Sequence, residues 1–298
     1  MSTPFVHLSV HSEFSLADSV VRIKPLIAAA VDRGMPAVAL TDLGNLFAMV
    51  RFYRSALAAG VKPIIGVDAL IDEGESLPPS RLMLLCQNRD GFRNLSELVS
   101  KSYAEPRRRG RPVMQRAWLV DRSAGLIALS GGREGDLGRE LLAGREAEAR
   151  ERLEYWLDRF GDRFYLELQR TGREHEAEYN QGAVKLAAGA GVPVVATNDV
   201  RFLDATDFGA HEARVCIQQG FTLDDPARPK HYTDRQYLKS GDEMAEQFSE
   251  LPEAIDNAVH IARRCNLELS LGRSVLPDFR YRRAWMRPDS WQRAPVTL

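Results

Sequence analysis

The side chains able to hold a metal or move a proton fall in loops that follow apolar runs. His11, Ser12, Glu13 and Asp18 come directly after the alternating run of residues 5–10, Phe-Val-His-Leu-Ser-Val. Asp42 and Asn45 follow the continuous apolar run AVALT at residues 37–41, and Asn198-Asp199 follow PVVAT at 193–197. Imidazoles and carboxylates are the donors that divalent cations and acid–base chemistry need. A strand emptying into a loop of such residues is how α/β barrels assemble a site. By the period-two rule, His7, Ser9 and His11 share one strand face. His7 is expected to be a hydrogen-bonded support rather than a ligand. His211 and His260 fall in helical patterns and read as packing or surface residues, and His175 and His231 sit in charged loops.

The elements that would position these residues alternate in type. Residues 24–32 read as a helix with Leu26, Ile27 and Ala30 on one face, ended by Gly34. A second helix follows Asn45, with Phe47, Val50, Phe52 and Leu57 expected inside and Gly60 as its stop. Strands are expected at 64–68 (IIGVD), 81–86 (RLMLLC), 126–130 (LIALS) and 164–168 (FYLEL). Helices are expected at 95–103 and 146–160. Together with residues 5–10, 37–41 and 193–197, that makes seven strands separated mostly by helices, a pattern for a parallel sheet closed into a barrel. Past Asp199 the pattern turns helical, at 205–218, 242–248 and 253–265. The basic stretch EPRRRGR at 105–111 reads as a solvated loop, with a phosphate-backbone contact through Arg107, Arg108, Arg109 and Arg111 as the sharper alternative.

Composition sets outer limits. A chain of 298 residues, 44% hydrophobic and 27% charged, is long enough for one barrel-sized domain with a full core. Forty basic against forty-one acidic residues leave a net charge of −1, so bulk attraction to nucleic acid is not implied. Cys86, Cys216 and Cys265 form neither a disulfide framework nor a CxxC pair. With no charged-then-apolar leader and no run of about 18 apolar residues, a cytoplasmic protein without membrane association is expected.

The first motif, FVHLSVHSEFSLAD at 5–18, resembles that of the PHP (polymerase and histidinol phosphatase) domain, in the version that opens bacterial replicative DNA polymerase III alpha subunits. VVATND, FTLDDP and LPEAIDNAVHIARRCN are similar to further stretches of the gammaproteobacterial type. The resemblance runs nearly without gaps over residues 4–279. It implies a PHP-type (β/α)7 distorted TIM-like barrel with a C-terminal helical extension over 1–279. Residues 280–298, with five Arg, no Lys and two Trp, fall outside it and read as a non-family tail.

In that family about nine side chains hold up to three metals, and the resemblance assigns their positions here. The first His-x-His pair is Ser9 and His11, followed by Asp18. The Thr-Asp-His-Gly-Asn motif is Thr41-Asp42-Leu43-Gly44-Asn45, so its His is Leu43. Asp68 stands for the Glu after the third strand, Arg81 for the fourth-strand His and Gly132 for a Cys or His. The final Asp-x-His is Asp199-Val200-Arg201. Leu and Gly cannot bind a metal, and a guanidinium has no lone pair to give. Arg81 and Arg201 are therefore expected to neutralise Asp18, Asp42, Asp68 and Asp199 in place of cations.

The resemblance thus implies a degenerate metal site with no catalytic residue in this stretch. The role implied is a scaffold that docks the proofreading 3′–5′ exonuclease subunit. The remaining polymerase III holoenzyme and primer-template DNA would be met through a parent chain whose Mg-dependent palm is absent here. The alternative is a residual metal-dependent phosphoesterase, an exonuclease or pyrophosphatase, with Zn, Mn or Mg on His11, Asp18, Asp68 and Asp199. A third reading, the error-prone homologue of damage tolerance, resembles the active ligand pattern more closely. Five lost ligand positions favour the scaffold.

Overall fold

The structure is a computed structural model that describes residues 3–74, 77–105, 111–272 and 274. Its elements run α1 (Ile23–Asp32), β1 (Ala37–Leu40), α2 (Met49–Ala58), β2 (Lys62–Ile71), β3 (Ser80–Cys86), α3 (Arg89–Ala104), β4 (Leu126–Leu129), α4 (Asp136–Leu142), α5 (Glu146–Phe160), β5 (Phe164–Gln169), α6 (Glu176–Ala190), β6 (Val194–Thr197), α7 (Phe208–Gln219), α8 (Gly241–Gln247) and α9 (Pro252–Arg264). The strands form one curled sheet in sequence order. β1, β4 and β6 are buried throughout, as continuous apolar runs covered on both faces must be.

The expected all-parallel sheet is corrected at one strand. β1–β2, β4–β5 and β5–β6 are parallel, but β3 is antiparallel to both β2 and β4. Only residues 72–79 join β2 to β3, too few for the crossover a parallel pair needs. The reversal matters for the site, because it brings the beginning of β3, not its end, to the mouth where the other strands finish.

Residues 5–11 do not form a regular strand, yet they close the sheet. The carbonyls of His7 and Val10 accept from Ala39 and Thr41 beside β1. On the other side the Ser9 carbonyl accepts from Val200, and the His11 N–H donates to the Val200 carbonyl, both at 3.0 Å. These bonds link the two outer strands of the sheet, so its edges are satisfied. At the opposite end of the barrel, α9 buries Ala254, Ile255, Ala258, Ile261 and Ala262. Its Asn257 amide donates to the Val194 carbonyl, and Lys62 Nζ donates to the Ala262 carbonyl.

α2 departs from the sequence expectation. Phe52, Tyr53 and Ala56 face the core, whereas Val50 and Leu57 lie outside, 44% and 54% exposed, and Phe47, 64% exposed, falls in the turn before the helix. The 3.6-residue period offers two apolar stripes on this segment, and the strand beneath it accepts one. By contrast, α1 buries Leu26, Ile27 and Ala30 as its pattern requires.

By packing the chain divides into Met1–Glu268 and Leu269–Leu298; of the second unit, residues 269–272 and 274 are described. Arg107, Arg108, Arg109 and the 280–298 tail lie outside the described residues, while Arg111 is exposed. Among the described residues no helix is long and apolar enough to cross a membrane.

Candidate functional site

The C-terminal mouth of the barrel gathers His11, Asp18, Asp68, Arg81, Asp199 and Arg201 into one charged cluster. His11 ends the closing segment, Asp68 lies on β2, and Asp199 follows β6 by two residues. Arg81 is the second residue of the reversed β3. The loop after β4 passes directly beneath it: a Cβ on Gly131 would come 2.2 Å from the Arg81 carbonyl, and φ there is +77°, so only glycine fits.

Arg201 is the hub. It is fully buried, with Nη2 donating to Asp199 Oδ1 at 2.6 Å and Nη1 lying 3.2 Å from Asp18 Oδ2. Nη1 also reaches His11 Nδ1 at 2.6 Å. A guanidinium can only donate, so His11 Nδ1 accepts and its Nε2–H donates to Asp68 Oδ2 at 3.1 Å. Arg81 pairs with Asp68 through Nη2 and with Glu134 through Nη1 at 2.7 Å. Arg173 approaches Asp199 Oδ2 at 3.3 Å, and the same oxygen accepts from Gln236 Nε2 at 2.8 Å. Tyr232 donates its hydroxyl to Asp18 Oδ1 and lies beneath the Arg201 guanidinium, 5.7 Å from its ring centroid.

The pairings on Asp18, Asp199 and Glu134 favour their ionised form. Burial pushes Asp18 and Asp199 up, but Arg201 and its neighbouring cations outweigh burial and hold both well below the usual carboxylate range. Burial likewise opposes ionisation of Glu134, and Arg81 with Arg173 brings it down to about 2. Glu167, on β5 behind the cluster, has no such partner. Burial and the Asp68 and Asp199 charges push it up to about 7, against hydrogen bonds from Thr197 Oγ1 at 2.5 Å and Gln169 Nε2 at 3.0 Å.

The donor set does not fit a metal ion. Both nitrogens of His11 and the inward oxygens of Asp68 and Asp199 are taken by side-chain hydrogen bonds, chiefly from guanidinium groups that would repel a cation. Among the described residues no three His, Cys, Asp or Glu side chains are arranged to hold one. Ser9, at the first expected ligand position, is buried with its Oγ unpartnered.

Asp42, of the expected set, stands apart from the arginines. Asp42 is bound by hydroxyls: Ser12 Oγ at 2.8 Å, Ser15 Oγ at 2.7 Å and the Ser12 N–H at 2.6 Å. The expectation that arginines neutralise it is corrected, since serines one layer away already satisfy both oxygens. Leu43 lines the cavity over the cluster, of about 270 Å³, with Asp18, Arg81, Arg173, Arg201 and Tyr232. Gly132 faces the Gln169 amide, 3.4 Å from where its Cβ would be.

His7 is buried with Nε2 on the Lys239 carbonyl at 2.8 Å, a support as its strand position suggests. His211 is closer to the site than its helical pattern implied: it packs edge-on against Tyr232 and reaches the Asp18 carbonyl at 3.2 Å. Sequence reading missed Glu134, Glu167, Arg173, Tyr232 and Gln236. Arg173 had a signal, lying just past the fifth strand like the ligands past the others. Tyr232 and Gln236 had none, because a turn-rich linker carries them back to the mouth.

The model of the PHP domain family matches residues 7–171. The chain is 52% identical over 280 residues to the DNA polymerase III subunit alpha of Pseudomonas aeruginosa, covering 94% of this chain and 24% of that protein. It is 48% identical over 283 residues to the DNA polymerase III subunit alpha of Escherichia coli K12, again covering 94% and 24%. The chain thus spans about a quarter of the length of these curated relatives. Among solved structures, an amidohydrolase from Chromobacterium violaceum aligns at TM-score 0.44 and 15% identity, over 66% of this chain and 87% of that one. A two-domain protein from Bacteroides vulgatus, described as containing a predicted PHP-like metal-dependent phosphoesterase, aligns at TM-score 0.39 and 11% identity, over 86% and 63%.

Proposed function

Because this chain belongs to the PHP domain family and matches DNA polymerase III alpha subunits along nearly its whole length, we propose that it is the PHP region of such a subunit, working in DNA replication as a scaffold without chemistry of its own. The observation that carries this reading is Arg201. It occupies the final ligand position of the family motif, fully buried, with its guanidinium on Asp199, Asp18 and His11. A phosphoesterase needs those same groups open to a cation. Arg81 does the same to Asp68. The reading therefore includes no resident Zn, Mn or Mg.

The scaffold role is docking of the proofreading 3′–5′ exonuclease subunit on the outside of the barrel, with the polymerase chemistry and primer-template contacts belonging to the remainder of the parent protein. The PHP domain with its helical extension spans 1–279, and 280–298 falls outside it. The location is cytoplasmic, and a weak phosphate-backbone contact falls to Arg111 and its neighbours Arg107, Arg108 and Arg109.

Metal analysis after exhaustive dialysis tests the first half: less than stoichiometric Zn, Mn or Mg is expected. Stoichiometric metal, with phosphodiester hydrolysis lost in His11→Ala, overturns it in favour of the residual phosphoesterase. Co-purification with the exonuclease subunit of a related polymerase tests the second half. Binding should persist in Asp199→Ala; its loss there would move the docking surface into the cleft.

A further inference from the structure

We draw no further inference here: the strongest candidate, the cavity over the mouth of the barrel, lined by Arg81, Arg111, Arg139, Arg173 and Arg201 and suited to an anion, belongs to the site already described, and a phosphate group held there restates an established property of the family.

Discussion

Arg81 and Arg201 both hold the acids of the mouth, at unequal depth. Arg201 is enclosed, 1% exposed, and holds Asp199, Asp18 and His11 in a shell completed by Arg173, Gln236 and Tyr232. Arg81 sits at the rim, and one of its two carboxylates, Glu134, is 38% exposed to solvent. Water therefore screens one side of the cluster and not the other. A guanidinium enclosed deep in the barrel is part of the core; one at the mouth remains closer to an ordinary surface ion pair.

That contrast predicts unequal losses. Arg201→Ala leaves the buried Asp199 and the half-buried Asp18 without their main cation and should cost about 3–5 kcal/mol at neutral pH, read as a large drop in melting temperature. The sign with pH follows from the lowered Asp18 and Asp199: their stabilisation is present above the ordinary carboxylate range and is lost as pH falls through their folded values. The deficit of the variant should therefore narrow in acid. A melting temperature equal to wild type at neutral pH would place Arg201 outside the charge balance of the site.

Arg81→Ala should cost less, about 2–3 kcal/mol, because His11 continues to bond Asp68 and Glu134 can turn to solvent. A loss as large as that of Arg201→Ala would abolish the depth contrast.

Glu167 probes the interior between the two. Its folded value of about 7 lies above its ordinary one, so the folded chain holds the proton more tightly and stability falls as pH rises between about 4.5 and 7. Glu167→Gln keeps an oxygen for the Thr197 and Gln169 bonds and removes the charge. It should match wild type near pH 4 and be more stable above pH 7, by on the order of 2 kcal/mol. Equal stability across that range would mean that the carboxylate ionises without penalty.

The smallest effect is expected at Tyr232→Phe, which removes one hydrogen bond to an Asp18 already held by Arg201; about 1 kcal/mol should be lost in chemical denaturation. A loss above that of Arg81→Ala would make the linker, rather than the guanidinium, the main support of Asp18.

Much of this was legible in the residues themselves. Continuous apolar runs such as AVAL and VVAT mark strands covered on both faces, because a strand with no solvent side has no place for alternating polar residues. Helix α5 occupies the segment expected at 146–160, and Leu26, Ile27 and Ala30 face inward from α1. Residue type alone also says that Arg cannot ligate a metal and that it would meet the acids of its motif. Tertiary structure decided the rest, wherever the answer depended on what lies opposite. The direction of β3 follows from a connection too short to cross over, and it is this reversal that brings Arg81 to the mouth. The choice between the two apolar stripes of α2 belongs to the strand beneath it. Asp42 finds serines rather than an arginine, and Tyr232 and Gln236 return to Asp18 and Asp199 from a linker with no period. A one-dimensional pattern reports which faces a segment owns; which partner occupies each face is set by contacts between residues far apart in sequence.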